Sequence, residues 1–315
     1  MNKIGIDLGG TKIEGILLDE NFNEITRKRI STNQDHGYDS ILKSISSLIQ
    51  DLRVKSNSES SIGICTPGII SKNTGLIKNS NTQCLIGKPL KNDLENVLEQ
   101  KISMENDANC FALAEAILGA GKNFDLVFGV IMGTGVGGGV ILNDRVYHGE
   151  SGSAGHIGHY ILDPEGPKCG CGASGCLEAY ASGPNIVRRA KEAMSRGYST
   201  SLNKLIAEDS VELTPLNIFQ AAEQGDTLAI ETLSDTGWYI GQVLASLLPI
   251  LDPKLIVVSG QVALAGDFIL DSARRRMSEL LYIRPPVPIV QGALGDDGGI
   301  IGSAGAVFLD AGLIS

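Results

Sequence analysis

Apolar positions along the first hundred residues follow two alternating periods. KIGID at 3–7, IEGILL at 13–18 and EITRKRI at 24–30 read as β-strands, whereas Ile41, Ile45, Leu48, Ile49 and Leu52 recur at helical spacing and mark one face of a helix. SIGIC at 61–65 reads as a buried strand, Thr66-Pro67-Gly68 as a turn, and Leu90, Leu94, Val97 and Leu98 as the apolar side of a second helix. ISMEN at 102–106 predicts a short strand that runs into an Ala-rich helix, DANCFALAEAIL, at 107–118. Strand and helix in alternation predict an α/β fold. Helical signals dominate after residue 180: PNIVRRAKEAM, PLNIFQAAEQ, an apolar-faced stretch from Leu228 to Ile250 and a helix over Phe268 to Leu281. LIVVSG at 255–260 is a late buried strand, and GDDGGIIGSAGAVFLD at 295–310 a Gly-rich turn followed by a small-residue helix.

One plan occurs twice. IGIDLGGTKIEGILLDE from Ile4 and GVIMGTGVGGGVILND from Gly129 each run apolar strand, Gly-Thr turn, apolar strand, polar hairpin turn, and Thr11 and Thr134 fall at the same point. The repetition predicts a duplicated α/β unit with a cleft between the halves. The plainer alternative is two unrelated hairpins that both need Gly at their turns. The boundary is placed near Gly119 to Asn123, giving an N-terminal α/β domain at 1–119, completed by the C-terminal helix at 298–315, and a larger domain at 120–297.

Charge narrows the choice of partner. A formal net charge of −10, with basic residues scattered singly apart from Arg274-Arg275-Arg276, weighs against nucleic acid, which demands clustered Lys and Arg. No apolar stretch approaches the length of a bilayer span, and MNKIGIDLGG reaches a strand and a glycine turn at once, so no membrane role and a cytoplasmic location are expected. The six cysteines divide unevenly. Cys65, Cys84 and Cys110 stand isolated in or near apolar segments and read as free buried thiols. Cys169, Cys171 and Cys176 crowd together, and without an export signal such a cluster points to metal before disulfide.

Asp7-Leu8-Gly9-Gly10-Thr11 places an acid at a strand end just before glycines. Glycine lets backbone N–H groups approach phosphate oxygens, the Thr hydroxyl adds a donor, and Asp7 can hold Mg²⁺ directly or through water. A tight hairpin is the structural alternative. The loop from Gly133 through Thr134 and Gly135 to Gly139 is so rich in glycine that a close backbone approach must offset the weakened strand. Neither loop is followed by Gly-Lys-Ser/Thr, so a clamp of two loops around one triphosphate is expected, not a Walker A site. Asn106-Asp107 lies where a strand meets a helix, and local sequence alone makes Asp107 an N-cap. His159, Cys169, Cys171 and Cys176, separated by Gly and Pro turns, match a closed Cys₃His zinc site, which leaves the ion no open position and a structural role.

These motifs together resemble the ROK family, named for repressors, uncharacterised reading frames and kinases, and the match runs through the whole chain. The resemblance implies the actin-like, ribonuclease-H-like ATPase fold and an ATP-dependent kinase acting on the 6-hydroxyl of glucose or an N-acetylated hexosamine. Carried over by motif, Asp107 is the general base; Gly68, Asn81, Asn106, His156, His159 and Glu178 join it around the sugar. Asp7, Gly9, Gly10, Thr11, Lys12, Gly133, Thr134, Gly135 and Gly260 surround ATP and Mg²⁺, and the zinc fixes the loop carrying His159 and Glu178. Relatives imply a homo-oligomer, a dimer or tetramer. One departure is visible: most of the family has Glu-x-Gly-His where this chain has His156-Ile157-Gly158-His159, and some N-acetylmannosamine kinases look similar here. Neutral imidazole donates to an amide carbonyl, which a carboxylate cannot do. Two other readings are a sugar-responsive repressor, for whose helix-turn-helix the strand starting at Lys3 leaves no room, and an inactive sugar-binding relative, which the retained acids and glycine loops oppose.

Overall fold

The computed structural model describes residues 1–310 apart from 57, 72–73, 79, 81, 205–211, 282–284, 286 and 296–297, with side chains in the final helix described as far as Gly305. The chain opens with β1 (Asn2–Leu8), β2 (Lys12–Leu18) and β3 (Glu24–Ser31), then α1 (Tyr38–Lys55) and β4 (Ser60–Thr66). A small hairpin, β5 (Ile69–Ile70) with β6 (Ile77–Lys78), leads to α2 (Leu90–Leu98), β7 (Ser103–Asn106) and α3 (Asp107–Ile117). The first sheet has the order β3-β2-β1-β4-β7; β1 and β4, and β4 and β7, are parallel, whereas β2 is antiparallel to both of its neighbours.

Period-2 alternation decides what each face of this sheet buries. Ile4, Ile6 and Leu8 of β1 pack with Ile41, Ile45 and Leu48 of α1 and with Leu90, Leu94 and Leu98 of α2. Each such side chain contributes about 1.5–3 kcal/mol on leaving water. Val97, expected on the apolar side of α2, is 54% exposed; Leu90, Leu94 and Leu98 already fill the buried stripe, and Val97 falls beyond its edge. Ile16 and Leu18 face the other way, onto Ile300 and Ala304 of the last helix. That helix comes close because Gly5 has no side chain: a Cβ there would lie 2.5 Å from the Ile300 carbonyl oxygen.

The second half continues with β8 (Leu126–Met132), β9 (Val136–Leu142), β10 (Arg145–Val146), α4 (Glu178–Ala181), α5 (Gly183–Ser195), α6 (Pro215–Glu223), α7 (Thr227–Leu251), β11 (Leu255–Ser259), α8 (Asp267–Leu280), β12 (Ile289–Gln291) and α9 (Gly298–Asp310). Its sheet is ordered β10-β9-β8-β11-β12, with β8, β11 and β12 parallel. The repeated plan in the sequence is thus a repeated sheet: a glycine hairpin followed by two parallel strands. On α7, Gly237 and Gly241 let α8 in, since Cβ atoms there would sit 2.1 and 2.5 Å from the Ile269 and Ala273 carbonyl oxygens.

Two compact units result, one of residues 1–125, 139–154 and 293 onward, the other of residues 126–138 and 155–292. Sequence reasoning puts 139–154 with the second half. In the structure Gly139 backs onto α3, where a Cβ would meet the Ala112 methyl at 2.9 Å and the Ala108 carbonyl oxygen at 3.0 Å, and His148 bonds Glu105. No helix among the described residues is long and apolar enough to cross a membrane.

Candidate active site and metal centre

In the first unit the carboxyl ends of β1, β4 and β7 lie side by side, the place where open α/β sheets bind ligands. Residues in register share a face, so Arg29, Glu14, Asp7, Cys65 and Glu105 form one row across the sheet. Glu14, 6% exposed, accepts from the Arg29 guanidinium at 2.8 and 3.1 Å. Lys12 Nζ lies 3.6 Å from the same carboxylate. Burial pushes the Asp7 carboxyl above the usual carboxylate range, opposed by the Cys65 thiol that bonds it and by Lys12. Cys65 also bonds Cys110 of α3, so two thiols that read as isolated are neighbours, both buried and free. The glycine turn itself is held by the Gly9 N–H on the Lys12 carbonyl at 2.9 Å and by Thr32 Oγ1 on the Gly9 carbonyl at 2.7 Å, while Thr11 stands exposed.

At the end of β7 the cap that local sequence places at Asp107 falls one residue earlier. Asn106, with φ −76° and ψ 162°, is the N-cap, and its Oδ1 accepts the Asn109 N–H at 2.7 Å. Asp107 is therefore the first helical residue. Its Oδ1 accepts the Ala108 N–H at 2.8 Å, and its side chain opens to solvent. Protein packed around it raises the Asp107 carboxyl, the Ala108 N–H opposes this, and the Asp7 charge adds to the rise. Gly68, at φ +96°, closes the turn after β4; a Cβ there would lie 2.6 Å from the Lys78 carbonyl oxygen. Asn81 lies outside the described residues; its neighbour Thr82 has its hydroxyl 3.7 Å from where a Gly10 Cβ would be.

In the second unit the Gly133–Gly135 turn is closed by the Gly133 N–H on the Gly135 carbonyl at 2.9 Å, and the Gly183 N–H donates to the Gly133 carbonyl at 2.8 Å. Thr134 is exposed. Gly260, at φ +90°, presses on β8, its absent Cβ 2.3 Å from the Met132 carbonyl oxygen. A cavity of about 640 Å³ opens beside this turn, walled by Gly133, Thr134, Val187, Leu213 and Val262, with Arg188 and Lys191 as cations. Its helical walls come from segments that read as ordinary amphipathic helices, so nothing in the sequence marks them as a pocket.

The metal-type cluster forms as its spacing predicts. One donor atom from each of His159, Cys169, Cys171 and Cys176 lies within 4.8 Å of the others. Cys171 Sγ is 3.7 Å from Cys176 Sγ, and His159 Nδ1 is 3.9 Å from Cys169 Sγ. Zinc held at about 2.3 Å from sulfur sets neighbouring sulfurs of a tetrahedron about 3.8 Å apart, so the donor set fits such an ion. Cys171 and Cys176 stand apart as free thiols, not at the roughly 2.05 Å of a disulfide. Burial pushes the Cys169 thiol up to about 12, a cost that a bound cation offsets. Around the cluster the backbone is tightly set: Gly158 lies so close to β9 that a Cβ would be 1.9 Å from the Val136 carbonyl oxygen. Glu178, first residue of α4, accepts the Val136 N–H at 3.0 Å and the Cys169 thiol at 3.6 Å. His156 caps the short 3₁₀ turn Ile157–His159; burial, then His159, lowers its pKa, which leaves it neutral near pH 7.

The family model of the ROK family matches residues 3–309, and the chain belongs to this family. It is 34% identical over 311 residues to a glucokinase of Halalkalibacterium halodurans, covering 95% of this chain and 92% of the relative. It is 31% identical over 310 residues to an N-acetyl-D-glucosamine kinase of Pectobacterium carotovorum, covering 95% and 97%. A ROK family glucokinase from Streptomyces griseus, solved with glucose and AMPPNP, superposes with a TM-score of 0.82 at 29% identity, over 97% of this chain and 98% of that one. The fold is accordingly the actin-like ATPase architecture that the motifs imply.

Proposed function

We propose that this chain, a sugar kinase, transfers the γ-phosphoryl group of ATP to the 6-hydroxyl of glucose or an N-acetylated hexosamine, with Asp107 as the base. One observation carries the assignment of the base: Asn106 caps α3, so Asp107 is left with one oxygen on the Ala108 N–H and a side chain open to solvent. A raised carboxyl pKa suits a group that must take a proton from an alcohol as phosphoryl transfer proceeds. Asn106 and Gly68, with Asn81, belong to the sugar side of this site, and Asp7 with Gly9, Gly10, Thr11 and Lys12 to the phosphates and Mg²⁺. The glucokinase and N-acetylglucosamine kinase relatives support this reading.

The second unit carries residues suited to the nucleoside and further residues suited to the sugar. Apolar Val187, Leu213 and Val262 suit a base, and Arg188 and Lys191 suit phosphate or ribose oxygens, beside the Gly133–Gly135 turn and Gly260. His156, His159 and Glu178 face the sugar, and neutral His156 can donate to an acetamido carbonyl. Zinc on His159, Cys169, Cys171 and Cys176 would be structural, since four protein ligands leave no open position. A cytoplasmic homo-oligomer, dimer or tetramer, completes the proposal.

Asp107→Asn tests it. Turnover should fall by roughly 10³-fold, while sugar affinity by calorimetry stays within several-fold. Retained turnover removes Asp107 from the mechanism. Assays over glucose, mannose, fructose, N-acetylglucosamine and N-acetylmannosamine identify the acceptor.

A further inference from the structure

We propose that His148 is a positioning residue for phosphoryl transfer, acting through Glu105 on the strand end that carries Asn106 and Asp107. The inference rests on Asp107 being the base. His148 Nε2 hydrogen-bonds Glu105 Oε1, and the two side chains are 34% and 16% exposed. The other Glu105 oxygen accepts from Asn109 Nδ2 at 3.0 Å. Asn109 is buried in the first turn of α3, and its N–H is the one that Asn106 caps. Its own Oδ1 has no partner among the described residues, so the hydrogen bonding of this amide goes through Glu105.

A carboxylate gripped at both oxygens is fixed about its last torsion, which is otherwise broad. Without His148, Glu105 keeps one partner and Asn109 loses a fixed anchor, which loosens the helix start that sets Asp107. His148 is itself held in place: the Tyr147 N–H bonds the Val140 carbonyl of β9 at 2.8 Å, and the Ala154 N–H closes back onto the His148 carbonyl at 3.2 Å. The segment beyond Ala154 runs directly into His156. One imidazole thus ties the strand end bearing the base to the segment that follows β10. The local sequence hides it, because Glu105 and His148 meet only when residues 139–154 pack on α3.

The test measures kcat, KM for ATP and for the preferred sugar, and the melting midpoint of His148→Ala, His148→Gln and Asp107→Asn. His148→Ala should lose at least about ten-fold in kcat, with KM for ATP within about two-fold, because misplacement of a base acts on the transition state. His148→Gln keeps an N–H donor and should recover to within about three-fold of wild type, at a midpoint equal to that of His148→Ala. A kcat for His148→Ala within two-fold of wild type overturns the proposal, and so does an equal kcat loss in both variants that follows their melting midpoints. Should His148→Ala not fold, Glu105→Gln, which leaves one donor without an acceptor, gives the same reading: an unchanged kcat overturns it. Asp107→Asn separates the two ideas. If it retains turnover, the base assignment fails whatever His148 does; if it is inactive while His148→Ala is normal, only the positioning role fails.

Discussion

The two glycine turns occupy equivalent places in equivalent sheets, yet only the first is flanked by acids of its own strands. Counting back from Thr11 and Thr134, Asp7 of β1 corresponds to Val130 of β8. Asp7 sits in a charged row with Glu14 and Glu105, whereas Val130 is fully buried and pairs with Val258. The second turn receives its acid from outside the sheet: Glu178, just after the four-donor loop, accepts the Val136 N–H. A repeated scaffold therefore fixes where a site forms, while the chemistry is set by what each half brings to it. In the first unit that is strand-end carboxylates, and in the second a carboxylate beside a loop that gathers four metal-type donors.

Metal removal breaks the comparison hardest. Protein purified without added zinc should contain about one ion per chain, and structural zinc sites bind with on the order of 10 kcal/mol. Chelation should abolish hydrogen-exchange protection at residues 157–178 and cut turnover more than about 100-fold, while amides of β1, β4 and β7 keep their protection. Folded, active protein without metal would overturn the four-ligand reading.

Exchanging the acid between halves comes next. Val130→Asp places a carboxylate in a fully buried position with an apolar partner and should cost about 3–5 kcal/mol, read from chemical denaturation. Asp7→Asn should cut kcat/KM by about 10²-fold and raise the Mg²⁺ needed for half-maximal rate. Its stability should not fall at pH 7: the fold raises the Asp7 pKa, which means that it disfavours the ionised form, and a neutral amide removes that penalty.

Smaller effects separate glycines that the chain requires from those that the ligand requires. A Gly158→Ala side chain would collide with the Val136 carbonyl and should cost about 2–3 kcal/mol in melting experiments. At Gly133 nothing lies within 4 Å of an added Cβ, so Gly133→Ala should cost under about 1 kcal/mol and show its effect in KM for ATP.

What was legible in the sequence is local. Strands and helices follow from periodicity, the duplicated turn from two glycine runs, and the donor cluster from four residues spaced by Gly and Pro. What was hidden depends on packing between distant segments. Cys65 and Cys110 meet because β4 lies beside α3, and Glu105 meets His148 because Gly139 lets its segment approach that helix. Local sequence puts the cap at Asp107, but Asn and Asp cap equally well, and the extended backbone at Asn106 makes that residue the cap instead. Lys12 carries a charge suited to phosphate, but the row across the sheet sets its ammonium beside Glu14.

The finest comparison concerns two acids of the same half, and pH resolves it. A base works only when ionised, so kcat/KM falls as pH falls through the pKa of Asp107 in the folded enzyme. The protein packed around Asp107 and the Asp7 charge both raise that pKa, and the Ala108 N–H opposes them, so the acid limb should lie above the range of an ordinary aspartate. Asp7→Asn removes one of the two raising causes and leaves the packing around Asp107 as it was. On the residual activity of this variant the acid limb should therefore move to lower pH. An unmoved limb would mean that the two carboxylates share a row of the sheet without sensing each other's charge, and a limb moved upward would mean that Asp7 steadies the ionised form of Asp107 through bound Mg²⁺.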